Sequence, residues 1–188
     1  YSLSKKLNLF YIEHKGFIGG RFSVLSEVGM VPAYFMGVKV KKLRSNILDF
    51  LKQKNKKLLK NSILRIFNLI KSNKFKNLIF LNYSPQLEKF LYWSQQLIAE
   101  SLGKKKIGLL PIISNAPKDH HSLLQLYLDG PKDKIFYIFS SKNKFSDKIY
   151  INKNFGIKSF LNGKKLSLVK NAQRKAFIKS LTKKNIPF

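Results

Sequence analysis

The strongest constraint on the fold is a short apolar run, NLIFLNY, at residues 77–83. The run is almost continuously apolar, which is typical of a strand that is buried on both faces of a sheet. Ser84 and Pro85 follow it directly, and a hydroxyl residue before a proline predicts a capped first turn of a helix. A strand that passes at once into a helix is the beginning of a parallel β-α-β unit.

The same alternation of strand and helix continues to the end of the chain. The first helix is predicted to end at Gly103, and the runs IGLLPII and KIFYIFS predict two further strands. Between them, DHHSLLQLYLDG predicts a helix with Asp119 as its cap. Residues 164–183 predict a last amphipathic helix, with an inward face formed by Leu166, Val169, Ala176, Phe177 and Leu181. We therefore expect an α/β fold with a parallel sheet covered by helices on both faces.

The first part of the chain has a different pattern. Residues 7–12 predict a short strand, and Ser26 is expected to cap a helix that ends near Gly37. Residues 40–53 and 56–71 carry apolar side chains at helical spacing, and their opposite faces are rich in lysine. Such apolar stripes usually face a core, and a role at a membrane surface is the alternative.

The net charge of +28 raises nucleic acid as a partner. However, the excess is almost entirely lysine, and the lysines are spread along the whole chain. Proteins that recognise bases and phosphates rely on the planar fork of arginine, and this chain has only Arg21, Arg44, Arg65 and Arg174. We expect no specific nucleic-acid partner, although the charge predicts salt-sensitive, non-specific binding to polyanions.

Several classes of protein are excluded by what the sequence lacks. The chain has no cysteine, which excludes disulfides and cysteine–histidine zinc sites. No apolar run reaches the roughly 18 residues of a membrane span, and the first residues do not resemble a signal peptide. We therefore expect a cytoplasmic protein without a membrane partner. Because the first residue is Tyr rather than Met, we also expect these residues to begin within a longer protein.

The segment GGRFSVLSEVG, at residues 19–29, is the first candidate for chemistry. Paired glycines let the backbone approach a ligand closely or take a positive φ. Arg21 follows Gly20 directly and could hold a phosphate or a developing oxyanion. A glycine turn before a helix, with Arg21 exposed, is the alternative interpretation.

The second candidate lies on the helix after Ser84, where Gln96 and Glu100 are four residues apart and share a face. Glu100 is in the last turn, where the helix dipole disfavours an anion. That position and partial burial would raise the pKa of Glu100 towards the range of a general base. A solvated Glu100 paired with Lys104 is the alternative.

The third candidate is His120-His121 at the start of the next helix. An imidazole can transfer protons at neutral pH. Adjacent histidines point apart in regular structure and no carboxylate cluster surrounds them, so we expect no metal site. Two surface histidines at a helix start are the alternative.

Taken together and in order, these segments resemble a known family. GGRFSVLSEVG, QQLIAESLGK and DHHSLLQLYLDGPKDK resemble three consecutive signatures of the phosphoglucose isomerases, and KNAQRKAFIKSLTKKNIPF resembles the segment before that family's C-terminal signature. The resemblance extends over nearly all of the chain. It implies two sugar-isomerase (SIS) domains: residues 1–40 would end the first, residues 41–74 would be connecting helices, and residues 75–188 would form most of the second.

The resemblance also implies an activity, the interconversion of glucose 6-phosphate and fructose 6-phosphate through a cis-enediol, in glycolysis and gluconeogenesis. Glu100 matches the catalytic base and Arg21 the nearby positive charge. Gln96 and Gly20 match substrate-binding positions. His121 matches the histidine of ring opening, which in this family reaches into the neighbouring subunit of a homodimer. No metal or organic cofactor is implied.

The sequence also departs from the family's pattern. His120 stands where bacterial relatives usually have Gln, and Glu27 stands where a small residue or Pro is usual. The family's phosphate-binding loop and its C-terminal signature, which carries a lysine of ring opening, are outside these residues. We expect the 188 residues alone to have little or no isomerase activity. A non-catalytic SIS module that binds sugar phosphate is the alternative, and the presence of both Glu100 and His121 argues against it.

Overall fold

The structure is a computed structural model and describes residues 1–141, 147–151 and 160–188. The chain divides into two compact units, Tyr1–Arg65 and Ile66–Phe188. The division falls within the long helix α4, Gln53–Lys71. We call the two parts unit 1 and unit 2, and each is described by itself.

Unit 2 is built on three parallel strands. They are β1 Asn77–Asn82, β2 Leu110–Asn115 and β3 Lys134–Phe139. β1 lies in the middle, so the order in the sheet is β2-β1-β3. Leu81 of β1 is in register with Ser114 of β2 on one side and with Ile138 of β3 on the other. The parallel sheet predicted from the three apolar runs is confirmed.

Helices cover both faces of this sheet. A 3₁₀ turn leads from β1 into the first of them, and the helices are α5 Glu88–Leu102, α6 Lys118–Asp129 and α7 Leu166–Lys183. The end of α4 and α5 pack on one face of the sheet, whereas α6 and α7 pack on the other. The predicted α/β class, with a parallel sheet between helices, is confirmed.

The core of unit 2 lies in two layers on either side of β1. Alternate side chains of a strand point to opposite faces. Leu81 therefore packs with Phe177 and Leu181 of α7, whereas Phe80 packs with Leu91 of α5. Because both faces of the strand are buried, nearly every position of it has to be apolar, which explains the continuous run in the sequence.

The inward face of α7 is shorter than predicted. Phe177 and Leu181 are buried, whereas Leu166 is 47% exposed and Ala176 is also exposed. From α7, the buried cluster on this side of the sheet contains only Phe177 and Leu181, which lie in the second half of the helix. The apolar residues near the start of α7 therefore contribute little to the core.

Two predicted helix caps make other hydrogen bonds. The hydroxyl of Ser84 lies 2.9 Å from that of Ser141 rather than on the following helix. Asp119 lies inside the first turn of α6, and its carboxylate accepts the backbone N–H of Asn115 over 2.8 Å. Both side chains bind the ends of neighbouring strands, and this tertiary contact replaces the local cap.

Unit 1 is helical and has few buried side chains. Its elements are α1 Ser2–Lys6, a 3₁₀ helix Gly20–Leu25, α2 Glu27–Phe35, α3 Val40–Arg44, a second 3₁₀ helix Ile47–Leu51 and the first part of α4. Ser23 is the one buried residue between Tyr1 and Arg65, a range that the structure describes throughout. The strand predicted at residues 7–12 is wrong, because this segment is exposed and pairs with no other strand of unit 1.

The helix predicted over residues 40–53 is also interrupted, and only α3 and the second 3₁₀ helix form there. Its apolar side chains are exposed: Leu43 by 50% and Leu48 by 71%. A short helix without a buried face depends on weak local propensity alone, which does not sustain a continuous helix. The helix expected after Ser26 does form, but the Ser26 hydroxyl donates to the carbonyl of Ser23 instead of capping it. Gly37 beyond its end has φ +80°, the left-handed conformation that ends helices.

Candidate active site

Gln96 and Glu100 lie together on the exposed side of α5, as their spacing predicts. The Nε2 amide of Gln96 donates a hydrogen bond of 2.9 Å to Oε1 of Glu100. The opposite side of the helix is fixed by the buried Leu91 and by Gln95, whose Nε2 donates to the carbonyl of Pro111 over 2.7 Å. A helix held in this way presents the carboxylate in a defined orientation. Glu100 is exposed, which corrects the partial burial that we predicted for it.

Glu100 and His121 lie near opposite ends of the parallel strands. α5 begins after the carboxyl end of β1 and runs back to the start of β2, so Glu100, in its last turn, is near the amino ends of the strands. α6 begins directly after the carboxyl end of β2, and His121 is in its first turn. One copy of unit 2 therefore does not bring these two side chains to one site.

The two adjacent histidines have different environments. The Nε2 of His120 lies 3.0 Å from the hydroxyl of Tyr83, and its ring is stacked on Phe177 with 5.1 Å between the ring centroids. Burial lowers the pKa of His120 below the ordinary value of 6.5. His121 is exposed. Since successive helical residues point about 100° apart, the anchored His120 leaves His121 directed away from the core. The alternative of two surface histidines therefore does not hold for His120, which is partly buried.

Gly20 and Arg21 begin the 3₁₀ helix Gly20–Leu25 of unit 1, and Arg21 is partly buried. The hydroxyl of Ser23 donates to the carbonyl of Gly20 over 2.8 Å and closes this turn. A Cβ added at Gly20 would meet no atom within 4 Å, so the fold of unit 1 has room for a side chain there. A Cβ at Gly29 would collide with the carbonyl oxygen of Val24, so that glycine is required for α2 to approach the turn.

A pair that the sequence reasoning missed ties this segment together. The Nδ1 of His14 makes a short contact with Oε1 of Glu27, and its Nε2 lies 3.0 Å from the carbonyl oxygen of Ile18. The bond to Glu27, followed by that to Ile18, raises the pKa of His14 above its ordinary 6.5. The backbone N–H of Glu27, followed by His14, lowers the pKa of the Glu27 carboxyl. No local pattern could have revealed this pair, because its members are thirteen residues apart.

A second polar cluster lies at the carboxyl ends of the strands, where open α/β sheets commonly bind ligands. Asn82 donates to the side-chain oxygen of Asn115 over 3.1 Å, and Asn115 donates to Glu88 over 3.3 Å. On the other side of β1, the hydroxyls of Ser84 and Ser141 are in contact. These groups bind one another, and their observed role is to join the loops that follow the three strands.

Gln96, Glu100 and His121 are not among the residues that line an apolar groove of unit 2. That groove has a volume of about 290 Å³ and is lined by apolar and aromatic residues such as Ile70, Phe80, Ile98 and Phe139. A groove of this composition does not suit a sugar phosphate. In the part of the chain that the structure describes, no three His, Asp or Glu side chains are grouped to hold a metal ion. None of the helices described is sufficiently long and apolar to cross a membrane.

Comparison with curated proteins gives consistent relatives. The chain is 34% identical over 179 residues to the glucose-6-phosphate isomerase of Methanocaldococcus jannaschii, covering 90% of this chain and 43% of that protein. It is 36% identical over 179 residues to the glucose-6-phosphate isomerase of Campylobacter jejuni, with the same coverage. A probable glucose-6-phosphate isomerase of Methanococcus maripaludis is 35% identical over 98% of this chain and 42% of its own length. The chain thus spans less than half the length of these relatives.

A solved structure has the same fold. It is the crystal structure of a hypothetical protein from Thermus thermophilus, with a TM-score of 0.83 and 26% sequence identity. The match covers 99% of this chain and 46% of that one. No family model matches the sequence.

Proposed function

We propose that the chain belongs to the glucose-6-phosphate isomerase family over the residues matched, and that it forms part of an aldose–ketose isomerase acting on glucose 6-phosphate and fructose 6-phosphate. The observation that carries this proposal is the hydrogen bond between Gln96 and Glu100 on the exposed side of α5. It holds a carboxylate in a fixed orientation where a substrate can reach it, which is the first requirement for a general base.

In the proposed reaction, the carboxylate of Glu100 takes the proton from C2 of the open-chain aldose. The electrons of the C2–H bond form the C1–C2 double bond of a cis-enediolate, and the aldehyde oxygen takes the negative charge. The same carboxyl then returns the proton to C1, and a proton moves between O2 and O1 to give the ketose. The amide of Gln96 keeps the carboxylate aligned during both transfers.

Arg21 is proposed to stabilise the negative charge of this intermediate, and Gly20 is proposed to lie in the substrate-binding part of the site. A guanidinium next to an enediolate lowers the energy of the charge as it develops. The open space at the Cα of Gly20 supports a ligand-related role for that glycine, because unit 1 does not need it for packing. A side chain there would instead occupy space that a bound substrate uses.

His121 is proposed to open the sugar ring in the active site of a second copy of the chain. Glu100 and His121 lie near opposite ends of the parallel strands, so neither residue can reach the other within one copy of unit 2. These positions support the assignment. The proposed assembly is therefore a homodimer with shared sites. We propose a cytoplasmic location, sugar phosphates as the small-molecule partners, and a reaction that requires no metal or organic cofactor.

The test is a coupled assay of fructose 6-phosphate conversion, with the polypeptide from the complete reading frame that contains these residues. Glu100→Gln keeps the size of the side chain and its bond to Gln96 but removes the base, so we expect kcat to fall by about 10²–10⁴-fold or more. Glu88→Gln is the matched control, because it changes the same group at the other end of α5, where Glu88 binds Asn115. We expect that control to keep nearly full activity.

Two outcomes would contradict the proposal. Unchanged turnover in Glu100→Gln would remove the base from the mechanism. An inactive but folded parent protein that still binds fructose 6-phosphate would favour the non-catalytic sugar-phosphate-binding module. The 188 residues alone are expected to show little or no turnover. If the sites are shared between copies, mixing full-length Glu100→Gln chains with full-length His121→Gln chains should restore some activity.

A further inference from the structure

The protonation state of His14 follows from the two groups that its ring contacts. Nδ1 faces the Glu27 carboxylate, and Nε2 faces the carbonyl oxygen of Ile18 at 3.0 Å. An ionised carboxylate and a carbonyl can only accept hydrogen bonds, so both ring nitrogens must carry a proton. Both bonds can exist together only when His14 is the imidazolium cation.

These bonds join the two ends of the segment that contains the glycine–arginine turn. His14 and Glu27 join the two ends of the segment 14–27, and the Lys15 backbone N–H also stabilises the Glu27 carboxylate. Within this segment, the backbone N–H of Phe22 donates to the carbonyl of Gly19 over 2.8 Å. The hydroxyl of Ser26 donates to the Ser23 carbonyl over 2.7 Å. Arg21 lies at the centre of this segment.

Polar bonds matter more in this segment than they would in a packed domain. Unit 1 has a single buried residue, Ser23, and therefore no apolar core to hold the turn in place. Removing one proton from His14 forces the loss of at least one of its two bonds. The ends of the segment are then joined less firmly, and the turn that bears Arg21 becomes freer to move.

We propose that protonated His14 is a positioning residue, which closes segment 14–27 through Glu27 and Ile18 and so fixes the place of Arg21. The inference rests on the proposed function for its catalytic meaning, because Arg21 is there the charge that stabilises the intermediate. It also gives a role to Glu27, which departs from the residue usual in the family. In the chain, His14 is flanked by Glu13 and Lys15, which pair with each other at 3.1 Å.

The segment is expected to be closed over a limited pH range, and the pKa shifts of His14 and Glu27 determine its two limits. The raised pKa of His14 means that its contribution is complete below its ordinary value and is lost as the pH rises through the folded value. The lowered pKa of Glu27 means that its contribution is present above its ordinary value of 4.5 and is lost as the pH falls through the folded value. The segment is therefore closed between these two folded-state pKa values.

The test is an NMR titration of the 188-residue chain labelled with ¹⁵N. The chain has three histidines, and His120, whose pKa is lowered by burial, serves as the internal reference. We expect both ring nitrogens of His14 to carry protons below its midpoint, and its midpoint to lie above that of His120, whose pKa is lowered by burial. The backbone amides of Gly19, Gly20 and Arg21 should shift with the same midpoint as the His14 ring.

The variants Glu27→Gln and Glu13→Gln sharpen this test. Glu27→Gln should lower the His14 midpoint and weaken the coupled shifts of the turn, whereas Glu13→Gln should leave both nearly unchanged. The proposal is overturned if the amides of residues 19–21 stay fixed while His14 titrates, or if one ring nitrogen is unprotonated below the midpoint. The wild-type titration decides this even if a variant does not fold.

The outcome is separable from that of the isomerase assay. If the turn amides titrate together with His14 but Glu100→Gln keeps full turnover, the positioning of Arg21 by His14 stands and the proposed reaction is rejected. Uncoupled titration in an active isomerase would reject the role of His14 and retain the reaction.

Discussion

Unit 2 and unit 1 are stabilised by different interactions. Of the residues that the structure describes, all fourteen buried hydrophobic ones belong to unit 2, on both faces of its sheet. Unit 1 buries only the polar Ser23, and its central segment is joined by an ion pair and hydroxyl hydrogen bonds. Hydrophobic burial is non-directional and independent of pH, whereas an exposed ion pair depends on pH and salt. Candidate residues occur in both units, and those of unit 1 are expected to be more sensitive to conditions.

The largest expected effect comes from opening the core of unit 2. Leu81 is fully buried on β1, the central strand of the sheet, so Leu81→Ala should lower the free energy of unfolding by about 2–5 kcal/mol. Leu126→Ala on α6 is the matched control, because Leu126 is 48% exposed and should change stability by only about 0.5 kcal/mol. Urea unfolding followed by the fluorescence of Trp93, the single tryptophan, measures both. Equal losses in the two variants would mean that burial does not explain the stability of unit 2.

A smaller, local effect is expected from two glycines of unit 1. In Gly29→Ala the new Cβ would collide with the Val24 carbonyl oxygen, so α2 must move, at a cost of about 1–3 kcal/mol. Gly20→Ala meets no atom within 4 Å and should keep the local structure. Hydrogen exchange of the amides in residues 20–35 measures the difference. If Gly20→Ala loses protection as Gly29→Ala does, then Gly20 has a structural role, and its proposed place in substrate binding loses its support.

The sequence predicts an element of the fold correctly where the residues that pair with it are present, and a local pattern alone does not show whether they are. The apolar run of β1 predicts a strand correctly because the sheet surrounds it with partners on both sides. The apolar residues 7–12 have similar composition but no neighbouring strand in unit 1, and they remain exposed. Composition reports that a segment can pair, whereas pairing itself depends on residues far away in the sequence.

The same distinction applies to the candidate site. Gln96 and Glu100 could be paired from their spacing, because helical geometry makes residues four apart neighbours. The opposite positions of Glu100 and His121 also follow from the strand–helix order, since a helix after a parallel strand runs back along the sheet. The pair of His14 and Glu27 could not be predicted, because it depends on how an irregular segment turns back on α2.

The smallest effect, and the most direct comparison of the two units, is the pH dependence of His14 and His120. Burial lowers the pKa of His120, so the unfolded chain binds protons more readily there, and stability falls as the pH drops below about 6.5. For His14 the sign is opposite, and its contribution is lost as the pH rises through its raised folded value. Acid should therefore weaken unit 2 through His120 while the His14 pair of unit 1 persists until Glu27 is protonated.

His120→Gln tests this, because glutamine does not titrate but can still bond to the hydroxyl of Tyr83. The difference in unfolding free energy between about pH 8 and about pH 5.5, followed by Trp93 fluorescence, should be smaller in His120→Gln than in the wild type. In the exposed control Leu126→Ala, which changes no titrating group, it should match the wild type. An unchanged difference in His120→Gln would mean that this ring is hydrated in the folded chain, and that the contrast between a pH-sensitive unit 1 and a partly buried histidine in unit 2 is false.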